Sequence, residues 1–220
     1  MLKALLPAVA IAASLAACSS DPQTQQIIKG AIPFQKRAPA TANPLFLAAY
    51  EADAPGVAAV TEQNTSAIAV LLRQARSDVS GVDTMIAADG SQLMLKSGVL
   101  VGTRGFGNDL MAAEVSESTA LIQSVGSGVA TRLMTFINGN DNTETRAFKC
   151  DVYPGGTDSV FVGDTPVSTR MVTEHCRGGY AEFFNYYWVV PHRGEIVQST
   201  QWASPLTGKL SLRKVPSVRN

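Results

Sequence analysis

Charge is scarce in this chain of 220 residues: only 16% of its side chains are Asp, Glu, Lys or Arg, and 18 bases cancel 18 acids. Because the bases are dispersed, no basic face suits nucleic acid or an anionic bilayer. Histidine is rarer still, with His175 and His192 the only two. No convergent set of His, Cys and carboxylate ligands surrounds either one at metal-ligand spacing, and both read as turn or surface residues. There is no GxSxG elbow, and the remaining cysteines lack CxxC spacing. Gly102, Gly105 and Gly107 surround Arg104 in an order that is not GxGxxG, so they read as points where the backbone bends. If Arg104 is buried, it needs a carboxylate or several carbonyls beside it. Asn138 to Glu144 is rich in oxygen-bearing side chains but lacks the Gly and the distal Glu of a calcium loop, and reads as a hairpin turn. These absences leave no catalytic residues, no metal site and no cofactor to assign.

The first 17 residues are Met1, Leu2 and a single base, Lys3, followed by an apolar run and then small residues up to Ala17. That run is too short to span a bilayer comfortably, and the layout is that of a secretory signal peptide. Leu15-Ala16-Ala17-Cys18 resembles the bacterial lipobox, in which the cysteine thiol takes a diacylglyceryl group. Cys18 is therefore the expected lipidation site and mature N-terminus, and several acyl chains hold far more firmly than one. Ser19 follows it, and by resemblance to enterobacterial sorting this favours the outer membrane. Residues 18–43, rich in Ser, Gln, Pro, Ala and Thr, read as a tether. One folded domain is expected over 44–220.

Within that domain, short runs of apolar and β-branched residues alternate with turn signals. Asp89-Gly90 and Ser97-Gly98 each separate two such runs, and Asn138 to Asn142 separates two more. Pro44 to Glu51 reads as the first strand. Gly56 to Arg76 is ambiguous: alanine favours helix, while the part from Ala67 onward suits a buried strand. Asp109 to Val115 reads as a short helix, and Thr119 to Val125 as a strand. About ten to twelve short strands with almost no helical period argue for an all-β fold: an antiparallel, β-barrel-like single domain that hides its edges.

The aromatics concentrate near the C-terminal end. Tyr180 to Val190 and Glu195 to Ala203 flank Pro191-His192-Arg193-Gly194 and read as an antiparallel hairpin carrying both tryptophans, Trp188 and Trp202. Strand alternation puts Phe184, Tyr186 and Trp188 on one face and Phe183, Asn185 and Tyr187 on the other. One set should be core, and the other could form a platform on which sugars stack. With Cys18 lipidated, Cys150 and Cys176 remain as an even pair in an exported protein, which favours a disulfide between them.

Several stretches together resemble the YjbF/GfcB family of lipoproteins, associated with group 4 capsule and related exopolysaccharide loci. They are the lipobox at Cys18, Gly98 to Val115, the Cys150 and Cys176 pair, and Phe183 to Leu210. Thr103 to Gly105 and Gln201 to Pro205 are the most specific parts. The resemblance implies a periplasmic β-barrel-like domain held at the outer membrane, which supports production or export of an extracellular polysaccharide without being an enzyme. It also implies partners encoded nearby, including an outer-membrane β-barrel protein. Arg104, Trp188 and Trp202 are the candidate contacts to a glycan or to such a partner.

Overall fold

The computed structural model describes residues 41–137 and 142–216. Twelve strands dominate it: β1 (Gly56–Thr61), β2 (Asn64–Arg76), β3 (Val82–Ala87), β4 (Gln92–Lys96), β5 (Val99–Arg104), β6 (Leu110–Glu114), β7 (Gly128–Ile137), β8 (Thr143–Val162), β9 (Thr165–Arg177), β10 (Glu182–Val190), β11 (Glu195–Ser204) and β12 (Gly208–Val215). Two helices accompany them, α1 (Pro44–Glu51) and α2 (Ser116–Gln123). All twelve strands belong to one antiparallel sheet in the order β5-β4-β3-β2-β1-β12-β11-β10-β9-β8-β7-β6. The first and last strands are zipped together, from Gly56 opposite Val215 to Thr61 opposite Leu210. The sheet curls into a nearly closed barrel whose one gap in the hydrogen-bonded ladder lies between β5 and β6, neighbours in sequence.

Local chemistry explains the turns. Lys96 pairs with Val99 across a two-residue turn, and Ser97 and Gly98 both take positive φ, 52° and 87°. That geometry twists in the same sense as the strands it joins. Alternation then sets the inside of the barrel. Along β7, Ala130, Arg132, Met134 and Phe136 are buried, while Val129, Thr131, Leu133, Thr135 and Ile137 point outward or lie part-exposed. On β10 the buried set is Phe183, Asn185, Tyr187 and Val189. Trp202 centres an aromatic cluster: it stacks on Phe183 at 4.4 Å and meets Phe136 and Phe148 edge-on at 6.0 and 6.1 Å. Aromatic pairs at such geometries add to what their burial alone contributes.

Three local expectations are corrected and one ambiguity is resolved. Pro44 to Glu51 is a helix: Asn43 caps it, its side chain accepting from the Leu45 amide at 2.9 Å, and proline opens the first turn, where its missing N–H costs nothing. Gly56 to Thr61 is a strand despite its alanines, because it pairs on both sides, with β2 and β12. Asp109 to Val115 contains the strand β6, laddered to β7, and the helix comes afterwards, as α2, with Ile122 buried. Thr119 to Val125 therefore holds helix where a strand was expected, and α2 carries Glu117 in its first turn, where the helix dipole favours an acid. β8 runs through Pro154 to Gly156, with a register shift between Pro154 and Thr157. The leader, Cys18 and most of the tether lie outside the described residues, as does the turn at 138–141.

Cys150 and Cys176 face each other across β8 and β9 and form a disulfide of sequence separation 26, buried in the main core. Closing a loop of that size restricts the unfolded chain and contributes about 3 kcal/mol. Replacing both cysteines by alanine should lower the unfolding free energy by roughly that amount. Urea denaturation of the oxidised protein and of the double variant, compared at equal concentration, measures the difference.

Candidate functional site

A polar network crosses the barrel interior between β7, β9, β10, β11 and the edge strand β5. Arg132 and Glu174 are both fully buried, and the Arg132 Nη1 donates to Glu174 Oε2 at 2.6 Å. The same oxygen accepts from Asn185 Nδ2 at 2.7 Å and from the Tyr187 hydroxyl at 2.9 Å. Gln201 reaches across to β5, where its Oε1 accepts from the Leu100 amide at 2.8 Å and its Nε2 donates to the Gly98 carbonyl at 2.9 Å. Arg132 Nη2 donates to the Leu100 carbonyl at 3.2 Å. A side-chain amide thus pairs with β5 as a neighbouring strand would, on an edge that has no ladder partner.

Electrostatics follow from this arrangement. Burial disfavours the Arg132 charge, but the adjacent Glu174 carboxylate keeps the guanidinium protonated and raises its pKa. Burial, and then the same carboxylate, push the Tyr187 phenol far above its ordinary value, so it stays a hydrogen-bond donor. Most of its hydrogen bonds run inward to another strand; Gln201 Nε2 also donates to Ser199 on its own strand, and Arg132 Nε and Glu174 Oε1 are buried without a hydrogen-bond partner. As chemistry, it holds the wall together.

The second feature is a cavity of about 450 Å³ at the barrel end formed by the starts of β1, β3 and β11 and the ends of β2 and β12. Arg73, Arg76, Arg193, Arg213 and Lys214 line it, with Asp83 and Glu195 among them. Asp83 lies 3.5 Å from both Arg73 and Arg76, and Glu195 lies 2.5 Å from both Arg193 and Lys214. The hydrogen bond from Lys214 holds the Glu195 carboxyl below its ordinary pKa. Gln123, at the end of α2, donates to the Gly194 carbonyl at 3.2 Å and fixes the turn on the rim.

The residues singled out from the sequence fall in three separate places. Trp202 is buried in the aromatic core and offers no surface. Trp188 sits on the outer face of β10, its indole N–H donating to Asp158 of β8 at 2.8 Å. Beside it, His175, Phe184 and Tyr186 stand nearly parallel, His175 and Phe184 in face contact at 4.0 Å, so much of their ring area is spent on each other. Arg104 is exposed at the opposite barrel end, donating to the Thr103 carbonyl at 3.0 Å and lining an open cleft with Met111, Ile137 and Leu206. Among the described residues, the grouping Cys150, Glu174 and Cys176 could hold a metal by proximity, but both sulfurs are committed to the disulfide.

The network residues were missed, although strand parity marks them. Arg132 shares a face with Ala130 and Met134, Glu174 with Val172 and Cys176, and Gln201 with Ser199 and Val197. A polar residue on an apolar parity is the available signal.

The family model described as "Group 4 capsule polysaccharide lipoprotein gfcB, YjbF" matches residues 47–215. The chain belongs to this family. The YjbF family is thus one of lipoproteins associated with capsule polysaccharide, as the resemblance at Thr103 to Gly105 and Gln201 to Pro205 implied. A crystal structure of the hypothetical lipoprotein YmcC from Escherichia coli K12 shares the fold, with a TM-score of 0.63 at 12% identity over 76% of this chain and 88% of that one. A putative exported protein with a YmcC-like fold from Bacteroides fragilis aligns at 11% identity over 74% of this chain and 93% of that chain, with a TM-score of 0.30. No curated protein sequence matches the chain.

Two outcomes follow for the interior. Glu174→Gln strands a buried guanidinium and should cost about 3–5 kcal/mol, read as a lower urea midpoint. Tyr187 keeps its proton in the fold to a higher pH than in the unfolded chain, whose phenols titrate near 10. Its contribution is therefore complete below pH 10 and declines as pH rises beyond it. Denaturation at pH 8 and again near pH 10.5 should show a smaller loss of stability in Tyr187→Phe than in the wild type.

Proposed function

We propose that this protein is a non-enzymatic lipoprotein, anchored through Cys18 to the periplasmic side of the outer membrane. There it supports production or export of a capsule-like exopolysaccharide by docking on secretion components. The family match over residues 47–215 carries this reading. The interior supports it: the buried acid and base, Glu174 and Arg132, are bonded to each other, Arg132 also to β5, and neither lines the cavity at the barrel mouth. For the docking surface we favour the end that carries Arg104. There a cation sits with the exposed side chains of Ile137 and Leu206, a mix of charge and hydrocarbon suited to a protein partner such as an outer-membrane β-barrel.

A second reading, direct contact with the polysaccharide, draws on the basic cavity at the other end. It does not rest on the tryptophans, since Trp202 lies in the core and Trp188 is engaged by Asp158.

The anchor is tested in cells. Cys18→Ala should leave the protein out of the outer-membrane fraction and reduce surface polysaccharide, followed by membrane fractionation and by quantifying extracellular sugar. Retention in the outer membrane together with normal polysaccharide would overturn the anchored role.

A further inference from the structure

We propose that the basic barrel mouth binds a segment of an acidic saccharide through its carboxylate or phosphate groups. The choice of a saccharide rests on the second reading above; the anion site itself rests on geometry. Over the whole chain 18 bases cancel 18 acids, yet this one cavity gathers five bases and two acids, a surplus of three positive charges. The surplus is structured. Asp83 is shared by two arginines, and Glu195 by Arg193 and Lys214, so each group keeps one positive charge beyond its carboxylate.

These two groups lie on different parts of the wall. Asp83 and its arginines belong to β2 and β3, Glu195 and Arg193 to β11 and its turn, and β1 and β12 run between β2 and β11. Three strand spacings separate β2 from β11, about 14 Å along the wall. Two separated positive groups on one cavity suit charges repeated along a linear chain better than a single headgroup. Guanidinium forks pair with either carboxylate or phosphate oxygens in two-point contacts. Arg76 and Arg193 are 55% and 71% exposed at the side chain, so both can turn toward an incoming anion.

A lipid fits less well. Of the apolar side chains that line the cavity, Val57, Met85, Leu95, Ile196, Val197 and Leu212 are at most 8% exposed, and only Val215 and Pro55 are more open. That leaves too little hydrocarbon surface to hold an acyl chain, although a volume of about 450 Å³ is ample for a few sugar units at the rim.

The test uses the full-length lipoprotein in detergent micelles and end-labelled probes read by fluorescence anisotropy. The probes are an oligogalacturonate for carboxylate and a ribitol-phosphate oligomer for phosphate. A dextran oligomer of the same size serves as neutral control, and phosphatidylglycerol vesicles and poly-glutamate serve as competitors. The wild type should bind at least one acidic glycan, more weakly as salt rises, and should ignore dextran. The double variant Arg76→Gln/Arg193→Gln should bind it roughly tenfold or more weakly. Lys149→Gln, which removes one base from the outer wall, should match the wild type. Absence of binding to both acidic probes, or equal weakening by Lys149→Gln, overturns the site. Stronger binding of the vesicles or of poly-glutamate than of either glycan reassigns it to a lipid or a protein and overturns the saccharide. Loss of the mouth site leaves the anchored role standing, because that role is read from Cys18→Ala in cells.

Discussion

The fold depends on how one gap in a ring of twelve strands is closed. A meander that returns to its start can leave its ladder open at one place, and here that place is between β5 and β6, joined by residues 105–109. An unpaired edge exposes amides and carbonyls that must find partners. At its start, β5 receives them from the interior, through the Gln201 amide and the Arg132 guanidinium. At its end, Asp109 organises the corner: it accepts from the Gly105 and Phe106 amides and from the Thr103 hydroxyl, while that hydroxyl accepts from the Leu110 amide. A buried guanidinium is costly to desolvate, by several kcal/mol even after relaxation. The Glu174 carboxylate at 2.6 Å, itself held by Asn185 and Tyr187, offsets that cost. What the pair adds most clearly is register, because a slip of one residue in β7 or β9 would turn Arg132 or Glu174 out of the barrel.

The stretches that suggested the family turn out to be parts of this closure. Thr103 and Gly105 belong to the corner between β5 and β6, with Gly105 at φ +85°. Gln201 clamps β5, and Trp202 beside it fills the aromatic core. Both are buried although they are neighbours in one strand, and the register of β11 against β12 shifts just beyond them, between Trp202 and Ser204. The resemblance therefore rests largely on residues that hold the wall shut.

Strand parity and turn chemistry made most of the fold legible. Asp89-Gly90, Ser97-Gly98 and the aromatic hairpin stand where the residues put them, and the even cysteine pair forms its disulfide. The failures are local and share a cause. Pro44 to Glu51 and Thr119 to Val125 are short apolar runs whose period fits strand and helix alike, and only the cap at Asn43 and the ladder between β6 and β7 decide them. The basic mouth was invisible for a different reason. Arg73, Asp83, Arg193 and Lys214 are spread over 142 positions and meet only because β1 pairs with β12, a contact between chain ends that no local pattern announces.

The two ends of the barrel can also be placed relative to where the chain enters the domain. The Asn43 amide donates to the Ala88 carbonyl at 2.8 Å, so the chain enters the domain beside the turn between β3 and β4. β3 begins at the mouth with Asp83 and ends at Ala87, next to that entry point. Six strand residues rise about 20 Å, so the entry and the mouth lie at opposite ends of the wall. The Arg104 cleft, at the end of β5, lies on the entry side. The chain therefore joins the domain on the side of the Arg104 cleft, with the basic mouth at the far end. On the proposed reading, docking and glycan contact occupy different surfaces, separated by an interior in which Arg132 and Glu174 are paired.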